Sequence, residues 1–219
     1  CFTCYRINFR ELEESVSNLT PFVRGTIPIA RSQDSILFEG AQSHWLGINT
    51  GNYPFVTASD TTIAGVFSSF GLIEVPRRIG VVKAYTTRVG NGPFETELES
   101  GLAERLRKRG KEYGATTGRP RRCGWLDLEL IDKAIKFNDI TELALTKLDV
   151  LSGFERIGIR ARNGHLCYLD SWDDPNGIKA YEDLPETAKR YIQFIEGQLG
   201  VPITMISIGA ERSELVLKE

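Results

Sequence analysis

The sequence predicts an α/β protein with a mostly parallel sheet flanked by helices, and three observations lead to this prediction. Short apolar runs rich in β-branched residues alternate with longer runs of helical periodicity. Polar or glycine-rich residues directly follow several of the apolar runs, as they follow the strands of parallel sheets. No repeat, low-complexity segment or evident flexible linker divides the 219 residues. We therefore expect residues 1–219 to form a single α/β domain.

The first half of the chain contains two predicted strands. The run 35–39 (SILFE) is apolar and stops at a glycine, which predicts a short buried strand. Ser59 or Asp60 can cap a following helix of small residues that ends near Gly71. The run 79–85 (IGVVKAY) is apolar and β-branched, and it predicts a strong strand. Charged residues dominate two further predicted helices, 9–17 and 98–109.

The second half contains two predicted helices and four predicted strands. Apolar residues in 127–138 and 184–199 recur at helical spacing. Asn163-Gly164 stands between two extended runs and predicts a β-hairpin. The predicted strands cover 142–146, 156–162, 165–169 and 203–208. The residues expected to face inward are Leu130, Ile131, Ala134 and Ile135 on the first helix, and Ala188, Tyr191, Ile192, Ile195 and Leu199 on the second.

Composition argues against several classes of protein. The net charge is −2 and no basic stripe is present, which argues against general nucleic-acid binding. No apolar run approaches the roughly 20 residues that span a membrane, and no signal peptide is evident. The four cysteines, with only two histidines beside them, do not make up a zinc set. We therefore expect a cytoplasmic protein with reduced thiols that binds neither nucleic acid nor membrane.

Polar residues follow four of the predicted strands. Because ligands of parallel sheets bind at the carboxyl ends of the strands, we expect these residues to share one site. The four segments are Gly40-Ala41-Gln42, Thr86-Thr87-Arg88, Lys147-Leu148-Asp149 and Ser207-Ile208-Gly209.

The stretch EYGATTGRPRRCGWLD, residues 112–127, predicts an anion site. The guanidiniums of Arg119 and Arg121 match carboxylate or phosphate, and alternation in an extended loop sends them to opposite sides. Neighbouring threonines add hydroxyl donors, and neighbouring glycines allow a ligand to approach the backbone. The alternative interpretation is a solvated basic loop paired with Glu112 or Asp127.

The tetrapeptide TKLD, Thr146 to Asp149, suggests a guanine site. An Asp at the end of a buried strand can accept hydrogen bonds from the N1–H and exocyclic amine of guanine, while the stem of Lys147 packs on the base. Adenine does not offer this pair of donors. The alternative is an ordinary turn after a strand.

Two neutral residues lie near a predicted helix start. Gln42 and Thr57 can hydrogen-bond a ligand, and helix N-termini favour phosphate. Both residues can equally serve as caps. We interpret Asp60 as a cap and His44 as a structural or exposed histidine rather than a catalytic base.

Together these segments closely resemble the adenylosuccinate synthetase family. The matching stretches occur in the family's order and cover roughly residues 35–155 and 184–217: ILFEGAQ, GNYPFVTASDTT, VVKAYTTRVGNGPFETEL, YGATTGRPRRCGWLD, LTKLDVLSGFE and GVPITMISIGAERSE. The resemblance implies a fold related to the P-loop NTPases and a C–N ligase of AMP biosynthesis. Its reaction converts IMP, L-aspartate and GTP into adenylosuccinate, GDP and phosphate. GTP phosphorylates the 6-oxygen of IMP with the help of Mg²⁺, and the aspartate amine then displaces the phosphate.

The resemblance also implies roles for individual residues, carried over motif by motif. The implied IMP-binding residues are Gln42, Thr57 and Arg119. The implied aspartate-binding residues are Val89, Thr117, Arg119 and Arg121. The implied GTP-binding residues are Lys147, Asp149, Ser207 and Gly209. No catalytic residue and no metal ligand is implied within this chain.

The chain also departs from the family's pattern. Pro120 stands where the family more often has an arginine, and GAQSHWLGIN differs from the usual GAQG opening. Nothing in residues 1–34 resembles the family's GDEGKGK-type phosphate loop or its catalytic histidine. We therefore expect a C-terminal portion of the enzyme, with the catalytic residues and Mg²⁺ ligands outside this chain. A homodimer is the expectation inherited from the family. The alternatives are a non-catalytic nucleotide-binding remnant or subunit, and a phage-type synthetase that joins aspartate to dGMP.

Overall fold

The structure is a computed structural model that describes residues 36–71, 74–114 and 118–218. The predicted helix 9–17 and the predicted site residue Thr117 lie outside these ranges. The α-helices of the described ranges are α1 (Ile63–Phe70), α2 (Ser100–Gly110), α3 (Leu128–Asn138) and α4 (Glu186–Leu199). The strands are β1 (Ile79–Lys83), β2 (Thr86–Arg88), β3 (Arg122–Gly124), β4 (Leu126–Asp127), β5 (Glu142–Thr146), β6 (Arg156–Arg160), β7 (Leu166–Asp170), β8 (Ile203–Ser207) and β9 (Leu215–Leu217).

The largest sheet has the strand order β1-β5-β8-β9. β1, β5 and β8 run parallel, and Lys83 of β1 pairs with Thr146 of β5. This register brings the carboxyl ends of adjacent strands to one edge, as the sequence predicts. β9 was not predicted, and it runs antiparallel to β8. Only a short connection separates β8 from β9, which suits an antiparallel return, whereas a parallel crossover needs a dozen or more residues.

Two smaller sheets complete the architecture. β2 pairs antiparallel with β3, and neither strand was predicted. β4, β6 and β7 form the other sheet, in which β6 and β7 are the predicted antiparallel hairpin. The hairpin turn contains Gly164 at φ 83°, a backbone conformation that favours glycine. The predicted α/β class is confirmed, and within the described ranges parallel pairing occurs in the largest sheet and in the β4–β6 pair.

Helix α4 buries the face that the sequence predicts. Ala188, Tyr191, Ile192, Ile195 and Leu199 are all buried, and they belong to a cluster that draws on every sheet. The Tyr191 hydroxyl donates to the carbonyl of Ala84, just beyond β1, at 2.6 Å. Burial raises the pKa of Tyr191, so the phenol stays a neutral donor. The helix ends at Gly200, whose φ of 68° allows its N–H to reach the carbonyl of Glu196.

The predicted buried strand 35–39 is wrong over its described residues. Residues 36–40 form no strand, and the Leu37 side chain is 84% exposed. An apolar run becomes a strand only when another strand pairs with it. Within the described residues β1 is an outer strand of its sheet, and Val81 on it is 74% exposed. The run 36–39 therefore has the apolar composition of a strand without its pairing.

Two predicted helices need smaller corrections. α1 begins at Ile63 rather than near residue 60, because Asp60 makes a turn by accepting from the Thr62 N–H (2.9 Å) and hydroxyl (2.6 Å). Its predicted end is confirmed, with Gly71 at φ 63°. On α3, the predicted inward residue Ile135 is buried, and Leu130, Ile131 and Ala134 are only half-buried. No helix in the described ranges is long and apolar enough to cross a membrane.

Candidate functional site

A buried carboxylate, Glu112, joins three cations at the carboxyl ends of β1 and β5. Its side chain is fully buried. Its Oε2 accepts from Lys83 Nζ and Arg121 Nη1, both at 2.8 Å. Its Oε1 accepts from Lys147 Nζ at 2.8 Å and from the Tyr85 hydroxyl at 2.7 Å. We call these five residues the Glu112 cluster.

The backbone explains how these side chains converge. Lys83 is the last residue of β1, and Lys147 follows β5 directly. Lys147 has a left-handed backbone (φ 62°), and its ammonium also donates to the carbonyl of Gly110 at 2.6 Å. Helix α2 ends at Lys111, which is left-handed as well (φ 50°). The chain turns there, and Glu112 is held by the bond from its N–H to the Arg107 carbonyl (2.9 Å).

The cluster carries more positive than negative charge, because three cations share one carboxylate. Burial by itself would raise the pKa of Glu112, but hydrogen bonds from Lys147, Lys83 and Tyr85 outweigh it and lower the pKa to about 2. Burial lowers the pKa of Lys83 despite Glu112, and Lys147 and Arg121 add repulsion. Such an excess of positive charge favours an anionic ligand.

The loop that separates Glu112 from Arg121 is closed by backbone bonds. Tyr113 and Pro120 form an antiparallel bridge. The Arg121 N–H donates to the Glu112 carbonyl at 3.0 Å. The Gly114 N–H donates to the Arg119 carbonyl at 2.8 Å. Arg119 is exposed, whereas Arg121 is turned towards Glu112. The prediction that these two residues face different sides agrees with this arrangement.

The alternative of a solvated basic loop is half right. Arg121 does pair with Glu112, but that carboxylate is buried rather than solvated. Asp127 instead accepts from Arg160 Nη1 at 3.0 Å. Arg122 pairs with Glu97, with Nε and Oε1 2.7 Å apart. Arg121 also keeps its buried Nε without a hydrogen-bond partner among the described residues.

The predicted guanine residues lie on neighbouring strand ends. Asp149 is in a short 3-10 turn, Leu148–Leu151, and its buried Oδ1 has no hydrogen-bond partner among the described residues. Burial raises the pKa of Asp149, and the nearby carboxylates of Asp174 and Glu214 raise it further. The 3-10 turn after β5 also contacts β8.

A side chain at Gly209 would force the Glu214 carboxylate to move. A Cβ built on Gly209 would lie 2.5 Å from Glu214 Oε1. The Ser207 hydroxyl donates to the Gly209 carbonyl at 2.7 Å, and the Ile208 N–H donates to the Glu214 carbonyl at 3.0 Å. The turn after β8 is therefore tightly folded beside Asp149.

Helix α2 links the guanine turn to the loop of Arg121, a role that sequence reasoning missed. Arg109 donates to the Ser152 hydroxyl at 2.7 Å, and Arg105 donates to the Gly153 carbonyl at 2.6 Å. Arg107 Nε donates to the Arg121 carbonyl at 2.8 Å. The predicted helix 98–109 was expected to be exposed, and Arg105 and Arg109 are exposed while Arg107 is half-buried. The available signal was the run of cations in the last turn of the helix, where they are well placed to bond carbonyls.

The predicted IMP residues Gln42 and Thr57 lie in a segment that packs on α3. Trp45 Nε1 donates to the Leu130 carbonyl at 3.3 Å, and Asn138 contacts His44 Nδ1 at 3.1 Å. Gln42 is exposed with a left-handed backbone (φ 72°), and Thr57 is half-buried. The hydrogen bonds described for this segment do not reach the Glu112 cluster. Direct hydrogen bonds among the described residues therefore do not join Gln42 or Thr57 to Arg121 or Lys147.

Val89 lies nearer to the predicted aspartate loop. Arg88 of β2 pairs with Arg122 of β3, so Val89 is next in register opposite Arg121. The Val89 side chain is 49% exposed. Within the described ranges, no three His, Cys, Asp or Glu side chains converge as a metal site, so we assign no Mg²⁺ ligand there.

Sequence comparison identifies relatives along almost the whole chain. The family model of adenylosuccinate synthetase matches residues 4–165 and 164–216. The adenylosuccinate synthetase of Halothermothrix orenii is 42% identical over 237 residues, covering 95% of this chain and 55% of the relative. That of Thermodesulfovibrio yellowstonii is 46% identical over 212 residues, covering 86% and 50%. The chain thus spans about half the length of these relatives.

Two solved structures share the fold. The fully ligated adenylosuccinate synthetase from Plasmodium falciparum has a TM-score of 0.88 at 36% identity, covering 96% of this chain and 57% of that one. The succinoaminodeoxyadenylate synthetase of cyanophage S-2L, bound to dGMP and dATP, has a TM-score of 0.53 at 20% identity, over 81% and 45%. The cyanophage likeness concerns the fold alone. By its match to the family model across both halves, the chain belongs to the adenylosuccinate synthetase family.

Proposed function

We propose that this chain supplies the guanine-nucleotide and aspartate sites of an adenylosuccinate synthetase, which joins L-aspartate to IMP with GTP as the phosphoryl donor. The observation that carries the proposal is the buried Oδ1 of Asp149, which has no hydrogen-bond partner among the described residues. A buried carboxylate oxygen without a donor is costly, which favours a ligand that brings the donor. Asp149 and Lys147 stand at the carboxyl end of β5, where ligands of parallel sheets bind.

The chemistry of Asp149 favours guanine over adenine. Guanine offers an N1–H and an exocyclic amine side by side, and a carboxylate can accept both. Adenine presents an acceptor at N1 and would leave the carboxylate unpaired. Ser207 and Gly209 lie in the adjoining turn, so we assign the same nucleotide to them. Since burial and nearby carboxylates raise the pKa of Asp149, the two donors of guanine would stabilise its ionised form.

The Glu112 cluster and the loop after it suit a dicarboxylate. L-aspartate carries two carboxylates, and guanidinium groups bind carboxylates bidentately. We assign Arg121 and Arg119 to these carboxylates, with Val89 and Thr117 beside them. Arg121 faces the excess positive charge of the cluster, and its Nε is buried without a described partner. A carboxylate at that Nε would satisfy it.

In the proposed reaction, GTP transfers its γ-phosphoryl group to the 6-oxygen of IMP. The aspartate amine then attacks C6, so a C–N bond forms as the C–O bond to phosphate breaks. The contribution of this chain is to hold the amine of aspartate beside the purine, where proximity lowers the barrier. Gln42, Thr57 and Arg119 are assigned to IMP. A cytoplasmic location, a homodimer and Mg²⁺ as the cofactor of phosphoryl transfer belong to the same proposal.

Nucleotide preference tests the proposal directly. We expect isothermal titration calorimetry to show that the purified chain binds GDP and does not bind ADP. Asp149→Asn should no longer bind GDP and should bind xanthosine diphosphate instead, because the amide then donates to the 2-oxo group of xanthine. Asp170→Asn, at an exposed position of β7, is the matched control and should bind GDP unchanged. Equal binding of GDP and ADP, or unchanged GDP binding by Asp149→Asn, would refute the assignment.

Turnover separates the proposed ligase from the alternatives. Adenylosuccinate formation is followed by absorbance with GTP, L-aspartate and either IMP or dGMP. Reaction with IMP alone supports the proposal, and reaction with dGMP alone supports the phage-type alternative. Since no catalytic residue is expected within this chain, the assay uses a protein that carries those residues as well. Binding of GDP without turnover by that protein supports a nucleotide-binding subunit.

A further inference from the structure

We propose that Glu112 is a positioning residue that couples the guanine site to the aspartate loop by holding Lys147 and Arg121 at once. The coupling rests on the proposed function, whereas the positioning is a property of the unliganded chain. Glu112 has no assigned contact with a substrate, and the sequence suggested it only as a solvated partner of the arginine loop.

The two oxygens of Glu112 serve different segments. Oε1 accepts from Lys147, which begins the guanine turn, at 2.8 Å. Oε2 accepts from Arg121, which ends the aspartate loop, at 2.8 Å. Because a carboxylate is a rigid planar group, a shift of either cation changes the position available to the other.

The surroundings prevent Glu112 from moving away. Its side chain is fully buried, and Tyr85, which is also buried, donates to Oε1 at 2.7 Å. Lys83 at the end of β1 donates to both oxygens, at 2.9 and 2.8 Å. The sheet thus anchors the carboxylate, and the two segments are attached to it.

Glu112 uses only part of the hydrogen-bonding and packing capacity of each cation. Arg121 contacts it through Nη1, whereas its Nε has no hydrogen-bond partner among the described residues. Lys147 contacts it through the terminal ammonium, which leaves the aliphatic stem to pack on a base. A ligand on either segment therefore binds without displacing Glu112.

The neutral variant Glu112→Gln removes the charge that holds three cations together. Lys83, Arg121 and Lys147 would then repel one another, and both segments should loosen. Glu196→Gln is the matched control, because it makes the same change at a half-buried carboxylate that pairs with Lys218 rather than with Lys147 or Arg121. Glu112→Asp keeps the charge but shortens the side chain by one CH₂, so it cannot hold both segments at their present positions.

The first measurement is hydrogen–deuterium exchange of the unliganded chain. In Glu112→Gln we expect faster exchange in both 113–121 and 147–153, and in Glu196→Gln unchanged exchange in both segments. Faster exchange in only one segment of Glu112→Gln, or in neither, overturns the positioning role. If Glu112→Gln does not fold, Glu112→Asp takes its place, and protection of both segments as in the wild type overturns the role.

The second measurement is calorimetry with GDP and L-aspartate, alone and together. In the wild type we expect each ligand to tighten the other by about 10-fold, and in Glu112→Gln or Glu112→Asp we expect that factor to fall to about 1. Glu196→Gln should keep the factor. A factor that is unchanged in the Glu112 variants overturns the coupling while leaving the proposed function intact. Failure of the wild type to bind GDP at all refutes the proposed function, and the coupling with it, and the exchange result then decides the positioning role by itself.

Discussion

Replacing Glu112 by Gln should produce a loss of stability that depends on pH. The pKa of Glu112 is lowered from 4.5 to about 2 in the folded chain, where Lys147, Lys83 and Tyr85 donate to its buried carboxylate. A shift of this size corresponds to about 3 kcal/mol of folding free energy. Since the three cations are partly exposed to water, we expect a pH-dependent contribution of about 2 kcal/mol.

The sign of the effect follows from the direction of the shift. A folded-state pKa below the unfolded value gives stability that is fully present above about pH 5 and is lost as the pH falls towards 2. Glu112→Gln has no such titration. The difference in unfolding free energy between wild type and variant should therefore be largest at pH 7 and shrink by about 1–1.5 kcal/mol between pH 5 and pH 3.

Urea unfolding followed by tryptophan fluorescence provides the assay, because Trp125 and Trp172 are buried and will report the loss of the core. Measurements at pH 7, 5, 4 and 3 give the pH dependence of each chain. Glu186→Gln is the control, since its carboxylate is 75% exposed and pairs only with Lys189 one turn away on α4. A difference in unfolding free energy between the wild type and Glu112→Gln that stays constant from pH 7 to pH 3 would refute the electrostatic explanation.

Three further substitutions test the packing that positions the site, each by urea unfolding at pH 7. Gly158→Ala should cost about 1–3 kcal/mol, because its Cβ would lie 2.6 Å from Trp125 Nε1. Tyr191→Phe should cost about 1–3 kcal/mol, because it leaves the Ala84 carbonyl without its 2.6 Å hydrogen bond from the phenol. Leu106→Ala should lower the unfolding free energy by about 2–5 kcal/mol, because the Leu106 side chain is fully buried on the inner face of α2.

Each of these three has a matched control at a site of different exposure. Gly101→Ala adds a Cβ where nothing lies within 4 Å, Tyr53→Phe alters a tyrosine that is 80% exposed, and Leu102→Ala truncates a leucine that is 45% exposed. We expect every control to stay within about 0.5 kcal/mol of the wild type or to exceed it in stability. A control that costs as much as its partner would remove the packing explanation for that pair.

Much of the fold was predictable because its elements carry local signals. The inward face of α4 follows from helical spacing, and the β6–β7 hairpin follows from Asn163-Gly164. The short strands β2 and β3 were missed because each has only three residues and exists through its pairing with the other. The run 36–39 failed for the same reason, since its apolar residues do not report whether a neighbouring strand is present.

The sequence predicted that the strand ends contribute to the site, but it did not predict the cations that surround Glu112. Convergence of strand ends follows from parallel topology, and it did place Lys147 beside the loop of Arg121. The role of Glu112 depends on Lys83 and Lys147, which are distant from it in sequence and meet it only in the folded chain. Glu112 can be buried because three cations surround it in the folded chain. The residues next to it in the sequence do not indicate that burial.

The sharing of Glu112 also means that substitutions in the cluster will not have independent effects. Removing one lysine relieves repulsion on the remaining cations, so the cost of the next replacement depends on which change came first. Loss of the glutamate is tolerable only after some of its cations have gone, because an earlier loss leaves three like charges together. The order in which these positions can diverge is therefore constrained, and double-mutant cycles at Lys83, Arg121 and Lys147 should give coupling energies well away from zero.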